Sequence, residues 1–490
     1  MNQNQTMLQG FEWDLAPDGH HWTRLSKEAR HLRHLGFTSI WLPPAGKASN
    51  GSTDVGYAIY DPYDLGEFDQ KGSIRTKYGT AKEYKEAVRK LRTLGIAPLA
   101  DMVMNHRMGA DASETVVCRE VNTENRNEVS ETAVSKELYT RFTYPGRKGK
   151  YSKATLDHTC FTGADYFDDT GYHLYLLDGK TYASDVDHEK GNFDYLMGLD
   201  LDVLNPDVKK ELIRLGLFYI KKVGISGFRL DAVKHISAQF MREWIQALRG
   251  ATDKELFTVG EYWSYNLDSL NWYIGETQGE IALFDVPLHQ RFFDISRDND
   301  GNYDMGAMFN NTLVACNEPL AVTFVDNHDT QPGQALQSFV EAWFKPIAYA
   351  VVLLRGRGLP CVFWADLYGH ATGAFKPVRD LPLLLKVRKH LAYGDLYDYF
   401  DHDSIVGFTR GGIKEKRNSG LAFLCSNRGD GEKRMYVGKQ WAGKTFLCLR
   451  GGFKSVKIDS EGCGIFHVSH RNYSLYAPLS LRSLFARFFS

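Results

Sequence analysis

The chain has 490 residues, with 59 Lys and Arg against 60 Asp and Glu, 43% hydrophobic and 13% aromatic. That length implies two or three domains with a large core, and the balanced charge argues against a nucleic-acid partner. Seven scattered Cys with no C-x-x-C pair argue against a disulfide framework or a zinc knuckle and fit a reducing compartment.

The opening MNQNQTMLQGFEWD has no basic region followed by an apolar run, and no span of about 18 apolar residues follows anywhere. A cytoplasmic enzyme with no membrane partner is the expectation, with an unrecognised export route as the alternative. Nine Trp and 26 Tyr offer rings that can stack on sugars, nucleobases or partner surfaces, besides filling a core.

Residues 7–13 read as a first strand, Leu25 to Leu35 as a helix closed by Gly36, and Phe37 to Leu42 as a strand ended by Pro43-Pro44. A polar, Gly-rich loop with Val55-Gly56-Tyr57 and YDPYDLGEFDQKG follows; it reads as a cleft lining or a packed surface loop. Ala81 to Leu94 is helical, closed by Gly95, and Ile96 to Met104 is a strand ending in Asn105-His106. From about Arg107 to Asn205 the text turns polar and irregular, which reads as an inserted subdomain. Asn205-Pro206 then caps a helix running to about Val223.

The strand Ile225 to Leu230 leads into GFRLDAVKH, residues 227–235. Apolar residues at Val233, Ile236, Phe240, Trp244 and Leu248 predict a helix directly after Asp231, with Gly250 as its stop. Further strands fall near 256, ending in Glu261, near 280, near 320, ending in Asp326-Asn327-His328-Asp329, and near 360. Eight strand-helix units interrupted once predict a (β/α)8 barrel with an insertion. From about Leu396, IVGFTR, GLAFLCSN, RMYVG, KTFLCL, GIFHV and YSLYA predict a small antiparallel β-sandwich. The expected division is 1–106 with 206–393 as barrel, 107–205 as insertion, 394–478 as sandwich and 479–490 as tail. The tail, LSLRSLFARFFS, reads as a frayed end or as a membrane-surface or partner helix.

A barrel gathers its strand ends at one rim, which would bring Asp101, Asn105, His106, Arg229, Asp231, Lys234, His235, Glu261, His328 and Asp329 together. Arg229 and Asp231, two apart on a strand, share a face, and the guanidinium is expected to hold the carboxylate ionised. That pair alone reads equally as a structural ion pair or as part of an active site. Three acids in one pocket are costly to bury, and packing does not require them.

DMVMNH (101–106), GFRLDAVKH (227–235), EYW (261–263) and FVDNHDT (324–330) resemble the four signature regions of the α-amylase family of glycoside hydrolases. WLPP, VGY, YDLGEFDQKG and GNFDYLMGLDLD resemble its intracellular bacterial members and their secreted liquefying relatives. The resemblance implies Asp231 as nucleophile, Glu261 as acid/base and Asp329 as the third acid, in a retaining mechanism. It implies sugar contacts from Tyr57, His106, Arg229, Lys234, His235, Trp263 and His328. It also implies a Ca²⁺ held by Asn105, Asp194, Asp200 and the His235 carbonyl. Asp165 and Asp202 resemble ligands of further metal subsites, but Ala183 and Leu204 stand where relatives place acids, so one calcium is expected, with Asp185 or Asp187 as possible substitutes. The implied activity is endo-hydrolysis of α-1,4-glucosidic bonds in starch, glycogen or maltodextrins by a monomer. Alternatives are oligosaccharide-forming or transglycosylating chemistry on the same machinery, or glucan binding without hydrolysis.

Overall fold

In the computed structural model, which describes residues 4–478, eight parallel strands form a closed barrel. They are β1 (Met7–Gln9), β2 (Ser39–Trp41), β3 (Ala97–Met102), β4 (Gly227–Leu230), β5 (Phe257–Gly260), β6 (Ala282–Phe284), β7 (Ala321–Phe324) and β8 (Leu359–Phe363). Strands adjacent in sequence are adjacent in the barrel, and β1 lies beside β8. The strands expected from the sequence are therefore all present, in the expected order. They are short and almost wholly buried, as strands covered on both faces must be.

The connecting helices begin where the sequence offers caps. Helix Ala81–Thr93 starts with a reciprocal box: the Glu83 N–H donates to Thr80 Oγ1 and the Thr80 N–H to the Glu83 carboxylate. Its Tyr84, Val88 and Leu91 face inward at helical spacing. Helix Pro206–Phe218 opens on Asn205, whose side chain accepts from the Asp207 N–H at 2.9 Å, and its last turn widens before Gly224 ends it at φ 94°.

Residues 15–30 and 39–284 form one compact unit, containing β2 to β6 and the inserted stretch. The insertion is more regular than expected. It is a six-stranded antiparallel sheet in the order His106–Arg107, Leu199–Leu201, Phe161–Asp168, Gly171–Leu177, Ala112–Val121, Val129–Arg141. The loop before the helix at Ala81 is packed: Lys47, Asp61 and Asp64 are fully buried there, and Arg147 Nε donates to Asp61 at 2.9 Å.

Residues 4–14, 31–38 and 285–478 form the other unit, containing β1, β7, β8 and the C-terminal strands. The last are antiparallel, six in one sheet and Gly431–Tyr436 with Cys463–Val468 in a second. One apolar cluster draws on both sheets, with Ala422, Leu424 and Tyr476 from the larger and Met435 and Phe466 from the smaller. Each expected strand run falls on one of these strands. The 479–490 tail lies outside the described residues. Among those residues no helix is long and apolar enough to cross a membrane, and all seven Cys are free.

Candidate active site

The expected helix does not start directly after Asp231. Ala232 is left-handed (φ 49°, ψ 41°), Val233–His235 makes a single tight turn, and the helix proper runs Ala238–Thr252 from a Ser237 cap. Gly250 lies within it, and left-handed Asp253 ends it. The apolar spacing thus spans two elements. The break turns the peptide after Asp231 so that the Ala232 N–H donates to Glu261 Oε2 at 3.2 Å.

Arg229, from β4, is the hub of this site and is 1% exposed. Its Nη1 lies 2.6 Å from Asp231 Oδ1 and 2.9 Å from Asp101 Oδ1, and its Nη2 lies 2.5 Å from Glu261 Oε2. Asp101 Oδ2 also accepts from Trp41 Nε1 at 2.8 Å and the Tyr57 hydroxyl at 2.9 Å. Strands β2 to β5 therefore each contribute at or near their C-terminal ends, as parallel barrels do. The sequence placed Asp101 at a strand end within DMVMNH and Trp41 within WLPP, but assigned neither a role.

One guanidinium cannot neutralise three carboxylates. Burial pushes Asp231 up to about 6; Arg229 pulls it down, and Asp101 pushes it up again. The expectation that Arg229 keeps Asp231 low is thereby corrected: the ion pair is real, but desolvation outweighs it. Burial likewise raises Glu261, with Arg229 opposing and Asp231 reinforcing. Two acids compete for ionisation, which is the arrangement that separates a proton donor from a nucleophile.

Around this cluster, His106 Nε2 lies 2.9 Å from the Tyr57 carbonyl and Nδ1 3.3 Å from Asn105 Oδ1, and burial lowers the ring to about 4. His235 Nδ1 lies 2.7 Å from the Phe193 carbonyl, and burial lowers it to about 3. Both rings are neutral near pH 7. Lys234 Nζ donates to Glu189 at 2.8 Å and to the Trp263 carbonyl at 3.2 Å.

The Asn105 amide nitrogen faces three oxygens at once: the Asp194 carbonyl at 3.2 Å, Asp200 Oδ1 at 3.1 Å and the His235 carbonyl at 3.0 Å. Burial raises Asp194 to about 7, and burial together with the Asp194 charge holds Asp200 well above the usual carboxylate range. Among the described residues neither acid is in an ion pair. Buried acids and carbonyls converging with no ion-pair partner, and only Arg126 nearby to oppose their charge, suit a hard cation. Rotating the Asn105 amide would add a fourth oxygen. Asp202 is paired with Lys180 at 2.7 Å, Asp185 accepts from Ser237 and the Gln239 N–H, and Asp187 accepts from the Tyr262 hydroxyl. Burial raises Asp165.

In the other unit, His328 and Asp329 follow β7. The Asp329 N–H donates to Asn327 Oδ1 at 2.9 Å, and its carboxylate lies 3.4 Å from His328 Nε2. His328 Nδ1 lies 3.0 Å from Gln9 Nε2, and the ring stacks on Trp13 at 5.8 Å and 19°. Neither Gln9 nor Trp13 was marked by the sequence, since each is more than 300 positions away.

A closed parallel barrel whose strand ends carry a buried carboxylate pair has the layout of a glycoside hydrolase. The chain belongs to the alpha-amylase family: the family described as "Alpha amylase, catalytic domain" matches residues 22–373. It is 46% identical to an alpha-amylase of Geobacillus stearothermophilus over 97% of this chain and 87% of that one. It is 40% identical to the cytoplasmic alpha-amylase of Escherichia coli (strain K12) over 97% of this chain and 99% of that one. The crystal structure of an Anoxybacillus alpha-amylase shares the fold, with a TM-score of 0.64 at 19% identity over 98% of each chain.

Proposed function

We propose that the protein hydrolyses internal α-1,4-glucosidic bonds of starch, glycogen or maltodextrins with retention of configuration. The observation that carries this is the bonding of both Asp231 and Glu261 to the one guanidinium of Arg229. Retaining enzymes hold their two carboxyl groups about 5–5.5 Å apart, a gap one guanidinium can bridge.

In the proposed cycle Glu261, protonated, gives its proton to the glycosidic oxygen while Asp231 attacks the anomeric carbon. The C–O bond to the leaving sugar breaks and a glycosyl ester forms. Glu261, now ionised, takes a proton from water; the water oxygen attacks the same carbon and releases Asp231. Two inversions give net retention. Asp329 would favour the flattened, positively charged ring of the transition state. Tyr57, His106, Lys234, His235, Trp263 and His328 would contact sugar. Support for gathering Asp329 with the other two comes from the general rule that loops after parallel barrel strands share one face.

Asn105, Asp194, Asp200 and the His235 carbonyl would hold Ca²⁺, whose charge would offset the buried acids and tie residues 194–200 to the segment after Asp231. A cytoplasmic location and the domain limits 107–205 and 394–478 belong to the same proposal; identity to an E. coli relative named cytoplasmic supports the first.

The test is incubation with soluble starch, with products sized over time and their anomeric configuration followed by NMR. A rapid fall in chain length with α-anomers released first is expected. Release of β-anomers, or intact starch, would overturn the reading.

A further inference from the structure

We propose that Glu12, Asp14 and His370 form a site for a divalent transition-metal ion of the zinc class, distinct from the oxygen-lined site at Asn105. Glu12 and Asp14 lie on the loop after β1, and His370 follows β8 and the short helix Trp364–Tyr368. The two strands are paired in register, Met7 with Cys361 through Gln9 with Phe363, so rigid neighbouring elements position the ligands.

One ligand atom from each residue lies within 4.8 Å of the others. His370 Nε2 is 3.0 Å from Asp14 Oδ2 and 3.4 Å from Glu12 Oε2. Two ligands each about 2.0–2.1 Å from a tetrahedral zinc ion lie about 3.3 Å apart, so this spacing suits that ion. The Glu12 side chain is fully buried and that of His370 4% exposed, whereas that of Asp14 is 37% exposed, which leaves one side open for entry. The ligands are also held from behind. Glu12 accepts from the Ala371 N–H at 2.9 Å and the Asp14 N–H at 2.7 Å, and His370 Nδ1 meets Thr372 Oγ1 at 2.9 Å.

With both of its carboxyls ionised, the contacts of this cluster cannot all be satisfied. Gln331 Nε2 lies 2.9 Å from both Asp14 Oδ2 and His370 Nε2. If His370 Nε2 carries a proton it can donate to Asp14, but then it opposes the amide donor. If it carries none it can accept from the amide, but its lone pair then faces two carboxylates. Rotating the amide places its oxygen against Asp14 instead. With both carboxyls ionised, each of these assignments leaves one opposed contact at a largely buried place. A cation relieves the clash between the imidazole lone pair and the carboxylates, because lone pairs from Glu12, Asp14 and His370 can all point at it, with water as the fourth ligand and Gln331 Oε1 still accepting from the Trp13 N–H at 3.3 Å. The imidazole nitrogen and small ligand number favour a zinc-class ion over calcium.

The experiment uses the full-length, calcium-loaded protein freed of transition metals. Zn²⁺ is titrated calorimetrically, and Co²⁺ is followed by its visible absorption. One ion per chain and a four-coordinate cobalt spectrum are expected. Asp14→Asn and His370→Ala should each weaken Zn²⁺ binding at least tenfold and abolish the cobalt spectrum, while the calcium response of the melting temperature stays unchanged. Asp14→Asn alters a partly exposed residue and keeps the test valid where His370→Ala fails to fold. Absence of Zn²⁺ binding, or equal binding by wild type and Asp14→Asn, would overturn the proposal.

Discussion

The Ala232 N–H donates to Glu261 Oε2 at 3.2 Å, and it does so from a left-handed backbone that is unfavourable for a residue with a Cβ. The bond links the residue after Asp231 to the proposed proton donor. Ala232→Val adds a branched side chain where φ is 49° and should destabilise the protein by roughly 1–2 kcal/mol. Ala232→Gly should be neutral or stabilising. Urea denaturation of the two variants checks this; a valine variant as stable as wild type would refute it.

The acid limb of activity should follow Asp231. Its carboxyl, raised to about 6, must be ionised to attack, so kcat/KM should fall as pH drops through about 6. Asp101 contributes to that rise. Asp101→Asn removes a negative charge and leaves Arg229 with fewer acids to serve, so the acid limb should move to lower pH. A limb that stays in place or moves up would show that Asp101 does not act on Asp231 this way.

Glu261 matters most when the leaving group needs a proton. Glu261→Gln should lower kcat on maltooligosaccharides by about 10²–10⁴. On aryl glycosides with acidic phenol leaving groups the loss of the first step should be far smaller. Equal losses on both substrate types would remove Glu261 from the acid role.

Calcium should stabilise the fold through Asn105, Asp194 and Asp200. At a hundredfold excess over its dissociation constant a ligand adds about 2.7 kcal/mol. Chelator should therefore lower the melting temperature of wild type. Asp200→Asn removes one of two mutually opposed buried acids, so its chelated form should melt no lower than chelated wild type while gaining less from added calcium. An undiminished gain in the variant would place the ion elsewhere.

The barrel was legible in the sequence because buried parallel strands are continuous apolar runs, and each proposed catalytic acid stands just beyond such a run. The presence of an insertion was legible from the break in the strand-helix rhythm, but its strands were not. Strand Val129–Arg141 is exposed along most of its length, so it lacks the apolar alternation that identifies a strand. The helix after Asp231 was misplaced because Val233 and Ile236 fit helical spacing while belonging to a tight turn before its cap. Arg229 was visible beside Asp231, but its reach to Asp101 and Glu261 depends on strand register, and Glu12 meets His370 only because β1 pairs with β8.

That last pairing also bears on synthesis. Met7 hydrogen-bonds in register with the strand holding Cys361, and Arg388 reaches back to the carbonyl of Gln5 and the hydroxyl of Thr6. On the ribosome β1 can meet β2 early, but it must wait for more than three hundred later residues before β8 exists. Until then the edge that meets β8 stays unpaired, so closure of the barrel should be slow and dependent on chaperone shelter.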